Sequence, residues 1–311
     1  MLKIQNLSVS YLKGKKEFIA CKEIDLEVEK TERVVLIGES GAGKSTVGLS
    51  ITKLLPQNAR YKEGKIIFKN KDILRLKEAD LEKIRGAQIS YIFQEPFSYL
   101  DPLMKAGEQI REVFYFHRKM SKKGSYLETL KLLERLKFSE PLRVYNSYPH
   151  ELSGGMNQRI MIAIATALNP ELIIADEPTS SLDFFTAKEI TNFLKDVFSD
   201  SESALLLITH DLELAKSLAE KVYVIYKGQI LEKNTISNIF NKPLHPYTKS
   251  LLETFEGIRE RKIYTLEKLR KETPFGCVFY SFCEYAKSIC ERKPPFLKRL
   301  NDIESVRCHL Y

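Results

Sequence analysis

The sequence predicts an α/β fold built on a mainly parallel sheet, on three observations. Short apolar runs at 34–37, 172–175, 204–208 and 222–226 have the length and the bounding turns of strands buried on both faces. Helical periodicity fills most of the chain between them, the alternation that crossover connections produce. The run Gly38-Glu39-Ser40-Gly41-Ala42-Gly43-Lys44-Ser45 follows the first of these strands and opens a helix, which is the context of a phosphate-binding loop.

In chain order, residues 2–11 and 24–28 alternate and read as strands ahead of the buried strand at 34–37. A helix from Lys44 is expected to stop near Pro56. A strand pair surrounds 64–68, and the strand at 89–93 ends at Gln94. From Pro96 to Leu168 the pattern turns helical, with helices at 106–118, 126–136 and 153–168 separated by Gly, Pro or Asn. Strand character then returns at 172–175, 204–208 and 222–226. The charge-dense stretch 256–272 reads as a solvated helix or linker.

The chemistry begins in the glycine-rich turn. Without Cβ atoms, successive backbone N–H groups can converge on phosphate oxygens, and the helix start adds partial positive charge. Lys44 is placed to reach the terminal phosphates of a nucleotide and Ser45 to offer its hydroxyl to Mg2+. The strand at 172–175 ends in Asp176-Glu177, a metal-and-base pair in which Asp176 holds Mg2+ through water and Glu177 projects toward the γ-phosphate. Gln94 and His210 also follow short apolar runs, and in a parallel sheet such positions gather at the carboxyl edge where ligands bind. In isolation Gln94 would be an ordinary turn residue, and His210 and Asp183 would be helix caps.

Six motifs in order carry a family resemblance: the phosphate loop, Gln94 in Tyr91-Ile92-Phe93-Gln94-Glu95-Pro96, Leu152-Ser153-Gly154-Gly155-Met156, Asp176-Glu177, Ser181-Leu182-Asp183, and His210 in Ile208-Thr209-His210-Asp211. The chain resembles the ATP-binding-cassette (ABC) ATPases. That resemblance implies an ABC-type P-loop NTPase core, with a RecA-like parallel sheet, an antiparallel β subdomain and a helical subdomain at about 96–168. It implies ATP and Mg2+ as ligands, with Gly38 to Ser45 and Thr46 around the phosphates, Tyr11 stacked on adenine, and Ser45, Gln94 and Asp176 around the metal. Glu177, Gln94 and His210 are the implied catalytic set. Ser153, Gly154 and Gly155 would close over nucleotide held by a partner subunit, and Asp183 marks the D-loop.

Beyond the cassette, Ile239-Phe240, Pro243 and His245-Pro246-Tyr247-Thr248 are similar to the segment found in ATPases of peptide and nickel importers, as is Asn146-Ser147-Tyr148-Pro149-His150-Glu151. The implied division is a cassette at 1–235 and a C-terminal extension at 236–311. Asn234 stands where that family commonly has glycine, and asparagine can support the left-handed turn expected there. The implied function is ATP hydrolysis coupled to uptake of di- or oligopeptides, with nickel as the alternative cargo. The implied partners are integral-membrane permease subunits, a second ATPase subunit that is a paralogue or a second copy, and indirectly an external binding protein.

Cys277, Cys283, Cys290 and Cys308 close the chain in a C-x5-C-x6-C-x17-C array, while Cys21 reads as a small buried apolar residue. In a reducing compartment clustered cysteines are ligands more often than disulfides. The spacing lacks the tight C-x2-C pairs of zinc ribbons and does not itself select a metal. The resemblance, through Gly276-Cys277, Phe279 and Cys308-His309-Leu310, implies a [4Fe-4S] cluster remote from the ATP chemistry. Zinc and unligated thiols remain the alternatives.

Composition agrees with a chain working at the cytoplasmic face of a membrane as a peripheral subunit. The 311 residues carry a dispersed net charge of +8, with no leader-like start and no apolar run near the ~18 residues that span a bilayer. No basic stripe interleaved with aromatics marks a nucleic-acid partner. The rival class, a permease-independent ABC ATPase of DNA repair or translation, would bring long coiled coils or a second cassette, and neither is present.

Overall fold

The computed structural model describes residues 1–199, 201–255 and 270–311. They form two compact units, Met1–Glu27 with Arg33–Leu74 and Thr209–Tyr311, and Val28–Glu32 with Arg75–Ile208. Nearly all of the stretch expected as a solvated helix or linker at 256–272 lies outside the described residues. Among the described residues no helix is long and apolar enough to cross a membrane.

The first unit opens with β1 (Leu2–Lys13), β2 (Lys16–Val28), β3 (Arg33–Ile37), α1 (Lys44–Ile51), β4 (Ala59–Phe68) and β5 (Lys71–Asp72). β1 runs antiparallel to β4 from Leu2↔Phe68 to Tyr11↔Ala59, in a sheet ordered β2-β1-β4-β5. The alternation expected along β1 is broken by register shifts between Gln5 and Val9, which leave Leu7, Ser8, Val9 and Ser10 all buried. α1 ends at Ile51, short of Pro56. Lys53 adopts φ 54°, Lys53 N–H donates to Ser50 O at 3.1 Å and Leu54 N–H to Leu49 O at 2.9 Å, the left-handed stop that glycine usually supplies.

The second unit contains α2 (Glu78–Leu81), β6 (Ile89–Ile92), α3 (Pro96–Tyr99), α4 (Ala106–Arg118), α5 (Lys122–Arg135), α6 (Pro141–Asn146), α7 (Gly154–Thr166), β7 (Leu172–Asp176), α8 (Phe184–Ser199) and β8 (Ala204–Thr209). β6, β7 and β8 are parallel neighbours, in register from Ile89↔Leu172 to Ile92↔Ala175 and from Leu172↔Ala204 to Asp176↔Ile208. All three are buried throughout, which explains their largely apolar sequences. The helices share a separate core of Ile110, Phe114, Leu133, Phe138, Val144 and Ile160. Arg159 lies over the Phe138 and Phe193 rings, 4.3 and 4.7 Å from their centroids.

The chain then returns to the first unit with α9 (Leu212–Leu218), β9 (Lys221–Tyr226), β10 (Gln229–Thr235), α10 (Ile236–Asn241), α11 (Pro246–Phe255), α12 (Ser288–Arg292), β11 (Lys298–Arg299) and β12 (Ser305–Val306). β3 pairs in parallel with β9 from Val34↔Lys221 to Ile37↔Val224, and the order continues β9-β10-β12-β11 through antiparallel pairs. The turn expected at Asn234 is not formed. β10 runs on to Thr235, and Asn234 lies buried within it opposite Val222, because the antiparallel pairing with β9 continues for its full length.

Two buried charges tie the extension into this unit. Glu232 on β10 accepts the N–H groups of Leu244 and His245 at 2.9 and 2.8 Å just ahead of α11, and burial raises its carboxyl above the ordinary range. Arg307, beside β12, donates Nε to Ile230 O at 3.0 Å and Nη1 to Glu23 Oε2 at 3.1 Å.

Candidate nucleotide site and cysteine tail

In the first unit, β3 is fully buried from Val34 to Ile37 and delivers Gly38 against β9, where a Cβ would sit 2.2 Å from Ile225 O. Gly43 caps α1 with φ 99° and leaves 2.4 Å between an added Cβ and Ala20 O. Both positions are therefore closed to side chains, one by close approach and the other by conformation as well. The buried Lys44 curls back over the loop and donates Nζ to Gly38 O at 2.8 Å and Glu39 O at 3.1 Å. Its ammonium thus rests on backbone carbonyls of the same turn it would leave to meet phosphate. Gly228, on the β9–β10 turn, donates its N–H to Ala42 O at 3.0 Å and buttresses the loop from behind.

Tyr11 is brought to the same place. Its hydroxyl lies 3.1 Å from Thr46 Oγ1, in the first turn of α1. His210 is exposed immediately after β8. The cap of α9 is Asp211, whose carboxylate accepts Glu213 and Leu214 N–H at 2.8 and 3.0 Å. The capping role considered for His210 therefore belongs to its neighbour.

In the second unit, β6 and β7 bring Tyr91 beside Asp176, and the Tyr91 hydroxyl donates to Asp176 Oδ2 at 2.8 Å. Burial first and that carboxylate second push the Tyr91 phenol far up, so it stays a donor. Gln94 leaves the end of β6, exposed, next to Phe93, whose N–H meets Met161 Sδ at 3.1 Å and whose ring stacks on Tyr99 with centroids 3.8 Å apart. Glu177 is buried with φ 46°, and its N–H donates to Ile208 O at 2.8 Å. Ser180 returns both its N–H and its hydroxyl to Glu177 O. A left-handed glutamate pinned on both sides of its backbone is a position whose strain the surroundings enforce.

Ser153 caps α7, accepting Met156 N–H at 3.2 Å. Asp183 caps α8, accepting Phe185 and Thr186 N–H at 3.1 Å and the Thr186 hydroxyl at 2.6 Å. The Thr186 hydroxyl, foremost, holds the Asp183 carboxyl below its usual range. The two motifs touch: a Cβ on Gly155 would stand 2.6 Å from Thr186 Cγ2, and one on Gly154 3.6 Å from Leu182 Cδ2.

Cys21 is fully buried as expected. The four terminal cysteines are free thiols, with Cys277, Cys283 and Cys290 buried and Cys308 half-buried. Each sulfur faces a backbone N–H: Phe279 on Cys277, Tyr285 on Cys283, Lys287 on Cys290 at 3.5 Å, and Leu310 on Cys308. Burial pushes the Cys277 thiol up to about 11, and the charges of the other three sulfurs push the same way. Among the described residues no three His, Cys, Asp or Glu side chains converge on one point as a single-ion site would require.

Tyr247, read from the sequence only as part of a segment, reaches the loop. Glu39 N–H donates to its hydroxyl at 3.3 Å. Its ring packs on Tyr226 and on Phe279, with centroids 4.5 and 5.5 Å away. Phe279 lies two residues from Cys277, so the tail packs on a residue that touches the phosphate loop.

Residues 21–180 match the ABC transporter family, and residues 231–290 match the oligopeptide/dipeptide transporter C-terminal region. The whole chain is 38% identical to the oligopeptide transport ATP-binding protein AppD of Bacillus subtilis, covering 97% of that protein. The chain belongs to the ABC transporter family. Its similarity extends to the oligopeptide transport ATP-binding protein OppD of Escherichia coli, 35% identical over 95% of this chain and 89% of that one. Among solved structures, the dimeric ATP-binding cassette MJ0796 bound to ADP and Pi is 31% identical, with a TM-score of 0.67, covering 76% of this chain and 99% of its own. The ABC ATPase fold is thus established. Three of the array cysteines fall inside the matched C-terminal region and Cys308 lies beyond it.

Proposed function

We propose that this chain is the ATP-hydrolysing subunit of a membrane importer for di- and oligopeptides, seated on the cytoplasmic face of the membrane against permease subunits. The observation that carries the reading is the similarity to peptide-transport ATP-binding proteins along the full chain, extension included. The cassette at 1–235 would do the chemistry, and the extension at 236–311 would belong to the peptide-transport branch.

On ATP binding, Lys44 exchanges its two carbonyl partners for the terminal phosphates, and the N–H groups of the 41–45 turn surround them. Tyr11, held at Thr46, lies beside the adenine. Mg2+ would be held by Ser45, Gln94 and Asp176 and would neutralise charge on the β- and γ-phosphates. Glu177 accepts a proton from water as the water oxygen bonds to the γ-phosphorus and the bond to the β–γ bridging oxygen breaks, leaving ADP and phosphate. His210 and Gln94 orient the γ-phosphate. Ser153, Gly154 and Gly155, with Leu182 and Thr186 packed against the two glycines, close over the nucleotide of a partner subunit, as the ADP-bound dimer of the related cassette suggests.

The donor chemistry of the tail fits an iron–sulfur cluster. Soft thiolates, each facing an N–H donor, are the environment such clusters use, and one cysteine per iron does not need convergence on one point. Cys277, Cys283, Cys290 and Cys308 would hold a [4Fe-4S] group that supplies a cross-link and a redox-active centre.

Reconstitution with the permease pair, the second ATPase and the external binding protein tests the function. Peptide should stimulate ATP hydrolysis and enter the vesicles, whereas stimulation by nickel alone would overturn the cargo. Protein purified without oxygen should contain about four irons and four sulfides per chain. Stoichiometric zinc instead would overturn the cluster.

A further inference from the structure

The Gly38–Glu39 peptide is held from both ends. Its carbonyl oxygen accepts Lys44 Nζ at 2.8 Å and its N–H donates to the Tyr247 hydroxyl at 3.3 Å. A trans peptide points these groups in opposite directions, so whatever fixes one fixes the other. When Lys44 turns to phosphate the carbonyl loses that partner, and the Tyr247 contact is left to hold the plane. Since the Glu39 N–H is engaged by the tyrosine, it tethers the loop from outside the phosphate cradle.

Tyr247 is itself rigidly placed. It is only 1% exposed, its N–H donates to His245 Nδ1 at 3.0 Å, and its ring meets Tyr226 on β9 and Phe279. Phe279 is almost fully buried, meets Tyr226 edge-on at 5.5 Å, and sends its own N–H to the Cys277 sulfur. A continuous path of buried contacts therefore runs from a cysteine of the tail to the first turn of the nucleotide loop.

We propose that Tyr247 is a positioning residue for the nucleotide loop: its hydroxyl orients the Gly38–Glu39 peptide, and the packing of the cysteine-bearing tail on its ring, through Phe279, sets how firmly that peptide is held. The proposal rests on the reading of this loop as the ATP site. It gives the tail a direct route to nucleotide affinity.

Tyr247→Phe removes the hydroxyl and keeps the ring. In the full chain it should weaken Mg-ADP binding, measured by calorimetry, about 2- to 10-fold, the range of one net hydrogen bond. In the assembled transporter it should raise KM for ATP while leaving kcat at saturating ATP within about twofold. Phe279→Leu should weaken Mg-ADP binding in the same direction, and the double variant should fall short of the product of the two effects, because both act on one path. A lowered melting temperature with unchanged Mg-ADP affinity in Tyr247→Phe would reduce the residue to packing and overturn the proposal. Fully multiplicative effects in the double variant would overturn the link to the tail. Wild-type protein that binds no nucleotide, or that binds it equally well as Lys44→Ala, would instead sink the ATP-site reading on which both rest.

Discussion

Glu177 holds φ at 46°, a conformation that costs a residue with a Cβ about 1–2 kcal/mol. Paired hydrogen bonds to Ile208 and Ser180 keep it there, so the direction in which the side chain leaves the backbone is set by main-chain contacts and survives a change of side-chain chemistry. Glu177→Gln should therefore leave Mg-ATP binding intact and lower turnover roughly 10²–10⁴-fold, the scale of a lost general base. Phosphate release by the complete transporter measures it. A second residue predicts pH behaviour. Burial holds the His245 imidazole down at about 3, and its Nδ1 must stay unprotonated to accept Tyr247 N–H. Between the unfolded value near 6.5 and about 3 the unfolded chain binds a proton that the folded chain refuses. Stability from His245 is thus present above that window and is lost as the pH falls through it, by about 2 kcal/mol at pH 5. Glu232, raised by burial, acts in the opposite sense. His245→Asn keeps an acceptor for Tyr247 and should flatten the drop in denaturant midpoint between pH 7 and 5.

At the level of elements, α7 and α8 meet where Gly155 faces Thr186. Gly155→Ala forces a methyl into 2.6 Å of Thr186 Cγ2, an overpacking of about 1–3 kcal/mol. Pairing it with Thr186→Ser, which deletes that methyl and keeps the hydroxyl on Asp183, should restore the melting temperature. If Gly155 also contacts nucleotide across the dimer, ATPase activity should remain low in the same double variant. Elements of this unit were legible where the signal is local: buried strands as apolar runs, α7 by its helical pattern. Helix ends were less so. Lys53 and Lys137 take the left-handed position where a reader looks for glycine, and the bulge in β1 hides a buried run inside an apparent alternation. Asn234 misled in the other direction, since a residue able to turn was kept extended by pairing with β9.

For the whole molecule, the nucleotide loop announces itself in eight consecutive residues, whereas the part of Tyr247 in it depends on a contact between residues 208 positions apart that no local pattern encodes. The same holds for the tail, where spacing alone did not choose a metal and the packing of Phe279 on Tyr247 joins residues far apart in the chain. Assembly carries its own prediction. Because the Ser153 and Gly155 motif is read as serving another subunit's nucleotide, the isolated chain should hydrolyse ATP poorly. The Glu177→Gln chain, mixed with its partner ATPase, should sediment as a dimer in Mg-ATP and as monomers without it.

The pairing of Glu232 with Val306 has a consequence for synthesis. β10 is complete long before the strand that covers its edge has been translated, so a nascent chain carries an unpaired, largely buried-type edge next to an unfinished sheet. Chains that terminate early, even just short of Ser305, would keep that edge open for good. A stop placed just ahead of Ser305 should thus deplete soluble protein through aggregation at this one strand.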